Sequence, residues 1–119
     1  MNTKKVEWVL KIAIAGEFIG HGLLAIGGKA DWIKWIGQLA HTSPEMSTAL
    51  IVVIGFFDLI VAAIILIKPV KPVLLWAAFW GFWTALVRPL VGIGWLDFIE
   101  RFANWAAPLA LYFFYRSKK

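Results

Sequence analysis

The residues able to do chemistry in this 119-residue chain lie inside apolar runs. Glu17 and His21 stand one helical turn apart and so share a helix face, which suits a carboxylate–imidazole hydrogen bond or a proton relay. The blander reading of His21 is a packed histidine satisfied by Glu17 or by a backbone carbonyl. Asp58 and Arg88 sit singly in later apolar runs, and Asp97, Glu100, Arg101 and Asn104 recur at helical spacing near the C-terminus. Arg88 cannot lose its charge, and its planar fork can grip a carboxylate. It is therefore the expected hub, with Asp58 and Glu17 as candidate partners. Two readings follow. In one, Arg88 and a carboxylate form an ion pair that sets helix register. In the other, Glu17, His21, Asp58, Arg88, Glu100, Asn104 and Trp105 line a pocket for an anion, a quinone or a proton, with Arg88 as its anchor. Pro89 and Pro108 favour the pocket. Each lacks an N–H and frees a carbonyl one turn back, at Ala85 and Asn104.

Other chemistries find little material. With no cysteine there is no disulfide framework, thiolate metal site or catalytic thiol. Ser43, Ser47 and Ser117 have no nearby base, and no nucleophilic triad, phosphate loop or carboxylate dyad is visible. The other histidine, His41, falls in a loop, and no third ligand has a defined spacing, so neither a metal centre nor bis-histidine haem is expected.

The elements that must position these residues are membrane helices. The chain is 61% hydrophobic and 16% charged, with a mean hydropathy of +0.78, whereas soluble domains run at about 45–50% apolar and roughly 25% charged. That composition excludes a soluble globular domain, a disordered chain and a nucleic-acid-binding module. Four apolar segments, at about residues 6–28, 46–67, 72–94 and 96–115, each approach the ~20 residues needed to cross a bilayer as a helix. Helix is the expected form, because lipid offers no partner to an open sheet edge. Lys68-Pro69-Val70-Lys71-Pro72 and Gly92-Ile93-Gly94 read as the turns between later spans. In the longer connection, Asp31-Trp32-Ile33-Lys34-Trp35-Ile36 reads as a short amphipathic helix lying in the interface. The expected fold is all-α, a single four-helix transmembrane domain over residues 1–119. Lys4 and Lys5 before an apolar stretch resemble a signal peptide, but Glu7 and Lys11 interrupt that stretch, so it reads as the first span.

The net charge of +5 is unevenly placed. Lys4, Lys5, Lys68, Lys71, Arg116, Lys118 and Lys119 fall on one side, and Lys29 and Lys34 are balanced by Asp31 and Glu45 on the other. The positive-inside rule then puts both termini in the cytoplasm of a bacterial-type inner membrane. Trp8 and Tyr115 would mark the inner interface, and Trp32, Trp35 and Trp95 the outer one. Depth estimated from a rise of about 1.5 Å per residue puts Glu17 and Asp58 near mid-membrane, with His21, Arg88, Glu100 and Arg101 in the outer half. Small residues accompany the polar ones, and Gly16-x-x-x-Gly20 is a candidate for close helix approach. Trp76, Phe79, Trp80 and Trp83 crowd span three, either as lipid-facing and packing aromatics or as one wall of a slot for a quinone ring or isoprenoid tail. Trp105, in mid-span four, is the better pocket candidate.

Lys11 followed by Phe18-Ile19-Gly20-His21-Gly22, and Gly55-Phe56-Phe57-Asp58 followed by Ala62-Ala63-Ile64-Ile65-Leu66 and Lys68-Pro69, resemble the first and second spans of the DoxX-like family of small four-span membrane proteins. The resemblance covers about residues 6–115. Asp58 stands where the family usually has glutamate. Leu24 and Ala25 occupy the stretch where it commonly has lysine, with Lys29 a turn later. The resemblance implies an accessory subunit of a quinone-linked membrane oxidoreductase, since some members serve complexes that pass electrons from sulfur compounds to quinone. A small proton- or anion-coupled transporter or channel, and a structural assembly protein, are the alternatives. The expected partners are the lipid bilayer and a homo-oligomer or larger membrane complex, because 119 residues are few for a self-sufficient transporter.

Overall fold

The structure, a computed structural model, describes residues 3–117. Lys118 and Lys119, counted above among the basic residues of one side, lie outside the described residues. The chain is all-helical, with no strand among the described residues: α1 Thr3–Ile26, α2 Ala30–Ala40, α3 Pro44–Ile67, α4 Lys71–Leu90, α5 Trp95–Ile99 and α6 Ala103–Ser117. Helices α1, α3 and α4 are long and apolar enough to cross a membrane. The molecule measures 49 × 28 × 19 Å, and its long axis matches the about 40–45 Å of a bilayer with its headgroups.

Local chemistry sets the helix ends. Gly28 adopts a left-handed φ of 76°, and its N–H caps the Ala25 carbonyl while that of Lys29 caps Leu24. Ser43 caps α3 by accepting the Met46 N–H at 3.2 Å, with Pro44 at the first helical position. Pro69 and Pro72 bracket the short turn into α4.

Two expected boundaries differ. The third apolar run does not continue to Gly94, because α4 stops at Leu90. Pro89 cannot donate to Ala85, Gly92 turns at φ 93°, and the Ile93 N–H folds back onto the Arg88 carbonyl at 2.9 Å. The run 96–115 is not one helix. Five residues of α5 are followed by a tight turn in which Arg101 and Phe102 donate to Phe98 and Ile99, each at 3.2 Å, before α6 begins. The adjacent, opposite charges of Glu100 and Arg101 pair with each other at 2.9 Å at this break. Alone, the 15 residues of α6 reach about 22 Å, less than the roughly 30 Å of a hydrocarbon core.

Helix α3 packs on α1 and α2, and α4 packs on α6 and α5. Both main contacts are backbone-close. Gly22 meets Gly55, and a Cβ on Gly81 would lie 2.3 Å from the Asn104 carbonyl oxygen. That carbonyl is the one Pro108 leaves without its helical donor. Gly16 and Gly20 are not a close contact, since a Cβ on either meets nothing within 4 Å. At the end bearing Lys68 and Lys71, α6 joins α1 through a hydrogen bond from the Tyr115 hydroxyl to Glu7. The core lies towards this end, where Ile14, Phe18, Ile65, Leu74 and Leu111 are all buried. Val9, Ile12, Val53, Phe56, Ile60 and Phe79 instead project outward as an apolar surface, which suits lipid better than water.

Candidate functional site

The opposite end of the molecule is hollow. A cavity of about 240 Å³ opens between α1, α3 and α4 beneath α2. Helix α2 covers it because Trp32, Trp35, Ile36 and Leu39, spaced three and four apart, form one apolar face, while Asp31, Lys34 and Gln38 stay exposed. Its attachment to α3 is polar and close: Gly37 faces the Ser47 hydroxyl, which bonds the Thr42 hydroxyl at 2.6 Å. Trp80 and Trp83 of α4 supply a second aromatic wall, and Ile51 and Ile54 of α3 an aliphatic one. Trp76 stacks on Trp80 at 5.5 Å and 16° and meets the edge of Phe57 at 5.6 Å, which continues the aromatic layer beyond the cavity.

Three ionisable side chains enter this apolar space: His21, Asp58 and Arg88. Arg88 is 5% exposed. Its guanidinium lies 5.2 Å from the Trp35 ring centre and donates to the Thr84 carbonyl at 2.5 Å. The Thr84 hydroxyl is occupied elsewhere, donating to the Trp80 carbonyl at 2.9 Å. Asp58 is 2% exposed, and its Oδ1 is buried with no hydrogen-bond partner. The expected ion pair between Arg88 and Asp58 or Glu17 is not formed, and Arg101 pairs with Glu100 at 2.9 Å. The carboxylates whose charge reaches Arg88 are instead Asp97 and Glu100. His21 does not bond Glu17. Its ring meets Trp32 edge-on at 5.4 Å and 73°.

The seven site residues expected from the sequence therefore separate. His21, Asp58 and Arg88 share the cavity. Glu17 feels the charge of Asp58 but is not in the lining. Glu100 is exposed and paired with its neighbour. Asn104 serves the α4–α6 contact through its backbone. Trp105 belongs to a separate aromatic cluster with Phe82 and Phe102, at 6.3 and 5.5 Å. Trp32 and Trp35, expected as interface anchors, are instead cavity walls, as are Trp80 and Trp83. The signal for the first two was present: an amphipathic helix with two tryptophans on its apolar face has to cover something. Lys11, also in an apolar run, is 7% exposed and lies 3.9 Å over the Trp8 ring, away from the cavity.

Among the described residues no group of three His, Cys, Asp or Glu side chains stands together as a metal site would require. The arrangement offers flat aromatic walls, one fixed cation with a forked donor set, and one buried acceptor. A cavity of about 150 Å³ holds a benzene ring, so this one has room for a substituted ring. No protein-family model, curated protein or solved structure matches the chain.

Proposed function

We propose that this chain is a four-helix integral membrane protein of the inner membrane of a bacterial-type cell, N-in and C-in, that binds the ring of a quinone-type amphiphile beneath α2. In this reading α5 and α6 together make the fourth crossing, broken at Glu100–Phe102. The basic residues Lys4, Lys5, Lys68, Lys71 and Arg116 then face the cytoplasm, and the cavity opens towards the other side. The observation that carries the reading is the buried Arg88, whose side chain is held to the Thr84 carbonyl and the Trp35 face while lining a tryptophan-walled cavity, with no carboxylate in salt-bridge contact with it. A buried cation with no carboxylate in direct contact is costly, and a ligand carbonyl or anionic oxygen would satisfy its fork.

The role that follows is a ligand-holding accessory subunit of a quinone-linked membrane oxidoreductase, of the kind the DoxX-like resemblance implies, working within a larger complex or a homo-oligomer. The test is mass spectrometry of solvent extracts from mildly solubilised protein, with wild type and Arg88→Ala side by side. Stoichiometric quinone in the wild type, lost in the variant, is the expected result. An extract holding only bulk lipid, with no binding of added short-chain quinone, overturns the reading.

A second reading keeps one observation of its own. Glu17, which feels the charge of Asp58, and Asp58 itself are the groups a proton-coupled transporter would use, and neither forms a salt bridge. Proton flux in proteoliposomes that stops in Asp58→Asn and continues in Arg88→Ala would favour it.

A further inference from the structure

Asp58 places an acceptor where the protein supplies no donor. Its Oδ1 is buried, unpartnered and part of a side chain that is 2% exposed, and Asp58 lines the same cavity as Arg88. Opposite charges inside one small apolar cavity would ordinarily close on each other. Here they do not, because Arg88 is drawn back along its own helix to the Thr84 carbonyl and across the Trp35 face. The cavity thus has two poles on different helices, a forked donor from α4 and a free acceptor from α3, with tryptophan rings from α2 and α4 between its walls. The hydroxyl in the lining, that of Thr84, donates to its own helix and does not serve Asp58. A buried acceptor left unmade carries the full cost of its desolvation, and a quinone, which has acceptors only, cannot relieve it.

We propose that the cavity is built for a hydroxyl-bearing aromatic ring, a hydroquinone or a related phenol, whose O–H donates to Asp58 Oδ1 while an oxygen elsewhere on the ring accepts from Arg88. This rests on the ring-binding reading above and narrows it to the reduced, donor-bearing form of the ligand. The arrangement favours hydroquinone over quinone, because quinone lacks the O–H that Asp58 requires and keeps only the Arg88 contact.

The test is calorimetric titration of the protein in lipid nanodiscs, against empty discs and with oxygen excluded. Three probes of one ring are used: a short-chain hydroquinone, its quinone and its dimethyl ether. The expected result is that hydroquinone binds on the order of tenfold tighter than either other probe, the size of one buried hydrogen bond. Asp58→Leu should bring hydroquinone down to the affinity of the ether. Equal affinities of all three probes for the wild type would mean that a buried water satisfies Oδ1, and would overturn this inference while the ring-binding reading stands. Binding of none of the three overturns both. Because the comparison among probes uses the wild type alone, a poorly folding Asp58 variant does not weaken it.

Discussion

Gly22 of α1 and Gly55 of α3 lie backbone against backbone. A Cβ built on Gly55 would fall 2.7 Å from the Gly22 carbonyl oxygen, and one on Gly22 would fall 2.8 Å from that of Gly55. The contact sits one residue from His21 and three from Asp58, so the crossing that brings α1 and α3 together also places two of the three ionisable residues in the cavity. Lipid gives helices no hydrophobic reason to associate, so close backbone approach and van der Waals contact must supply it.

Gly55→Ala should therefore be costly. The new methyl meets backbone atoms on two residues of α1, the carbonyl of Gly22 and the N–H of Ile26 at 2.9 Å, and α1 has to move. A loss of about 1–3 kcal/mol is expected, read as a lower unfolding midpoint in detergent. Gly16→Ala and Gly20→Ala, with open space around both positions, should hold or slightly raise the midpoint, since alanine is the better helix former.

Gly81→Ala tests the other helix pair. Its Cβ would collide with the Asn104 carbonyl at 2.3 Å and the Trp105 nitrogen at 3.1 Å, which forces α6 off α4. Loss of near-ultraviolet dichroism from the Phe82, Phe102 and Trp105 cluster should accompany a lower midpoint. A spectrum unchanged from the wild type would show that the crossing is looser than described.

Tyr115→Phe removes the hydroxyl that donates to Glu7 and with it the polar tie between α6 and α1. About 1–3 kcal/mol should be lost, the range for hydrogen bonds to charged groups and for unmet partners. Ring binding should not change, because the tie and the cavity are at opposite ends of α1.

Arg101→Ala and Arg88→Ala should behave differently although both remove a guanidinium from the same end of the bundle. Arg101 pairs with Glu100 where their side chains are 31% and 62% exposed, a pair expected to contribute about 0–1 kcal/mol. Its loss should leave ligand affinity within twofold, whereas Arg88→Ala should abolish measurable binding.

The proposed orientation can be tested cleanly because the chain has no cysteine of its own. Gln38→Cys on the exposed face of α2 should react with a membrane-impermeant maleimide in intact cells. Ser117→Cys at the end of α6 should react only after permeabilisation. Reversal of the pattern would place the basic end, and not the cavity, outside.

Much of this architecture was legible beforehand. The long apolar runs, the punctuation at Pro69 and Pro72 and the amphipathic segment at Trp32–Ile36 mark α1, α3, α4 and α2 within a few residues. Such features depend on near neighbours alone: helix length, a missing N–H, and the side on which tryptophans repeat. The break at Glu100–Phe102 was not legible, because hydropathy averaged over 96–115 conceals two adjacent charges that bond each other and end a helix.

His21, Asp58 and Arg88 could be named from the cost of placing charge among apolar residues, since that cost belongs to the residue and its neighbours in the chain. Which of the buried charges meet could not, because helical spacing states what shares a face and not which faces oppose. Gly16-x-x-x-Gly20 has the pattern of a contact and open space around it, while Gly22 and Gly55, far apart in sequence, make one. Arg88 has two carboxylates at plausible depth and bonds its own backbone instead. Sequence alone determined an all-helical chain with membrane-length helices and charges that must be sheltered. Tertiary structure decided that α2 folds over the gap between α1, α3 and α4, so that the shelter is a tryptophan-walled cavity rather than an ion pair. That choice is set by helix crossings, and those are set by pairwise backbone approach at Gly22, Gly55 and Gly81, which no local pattern encodes.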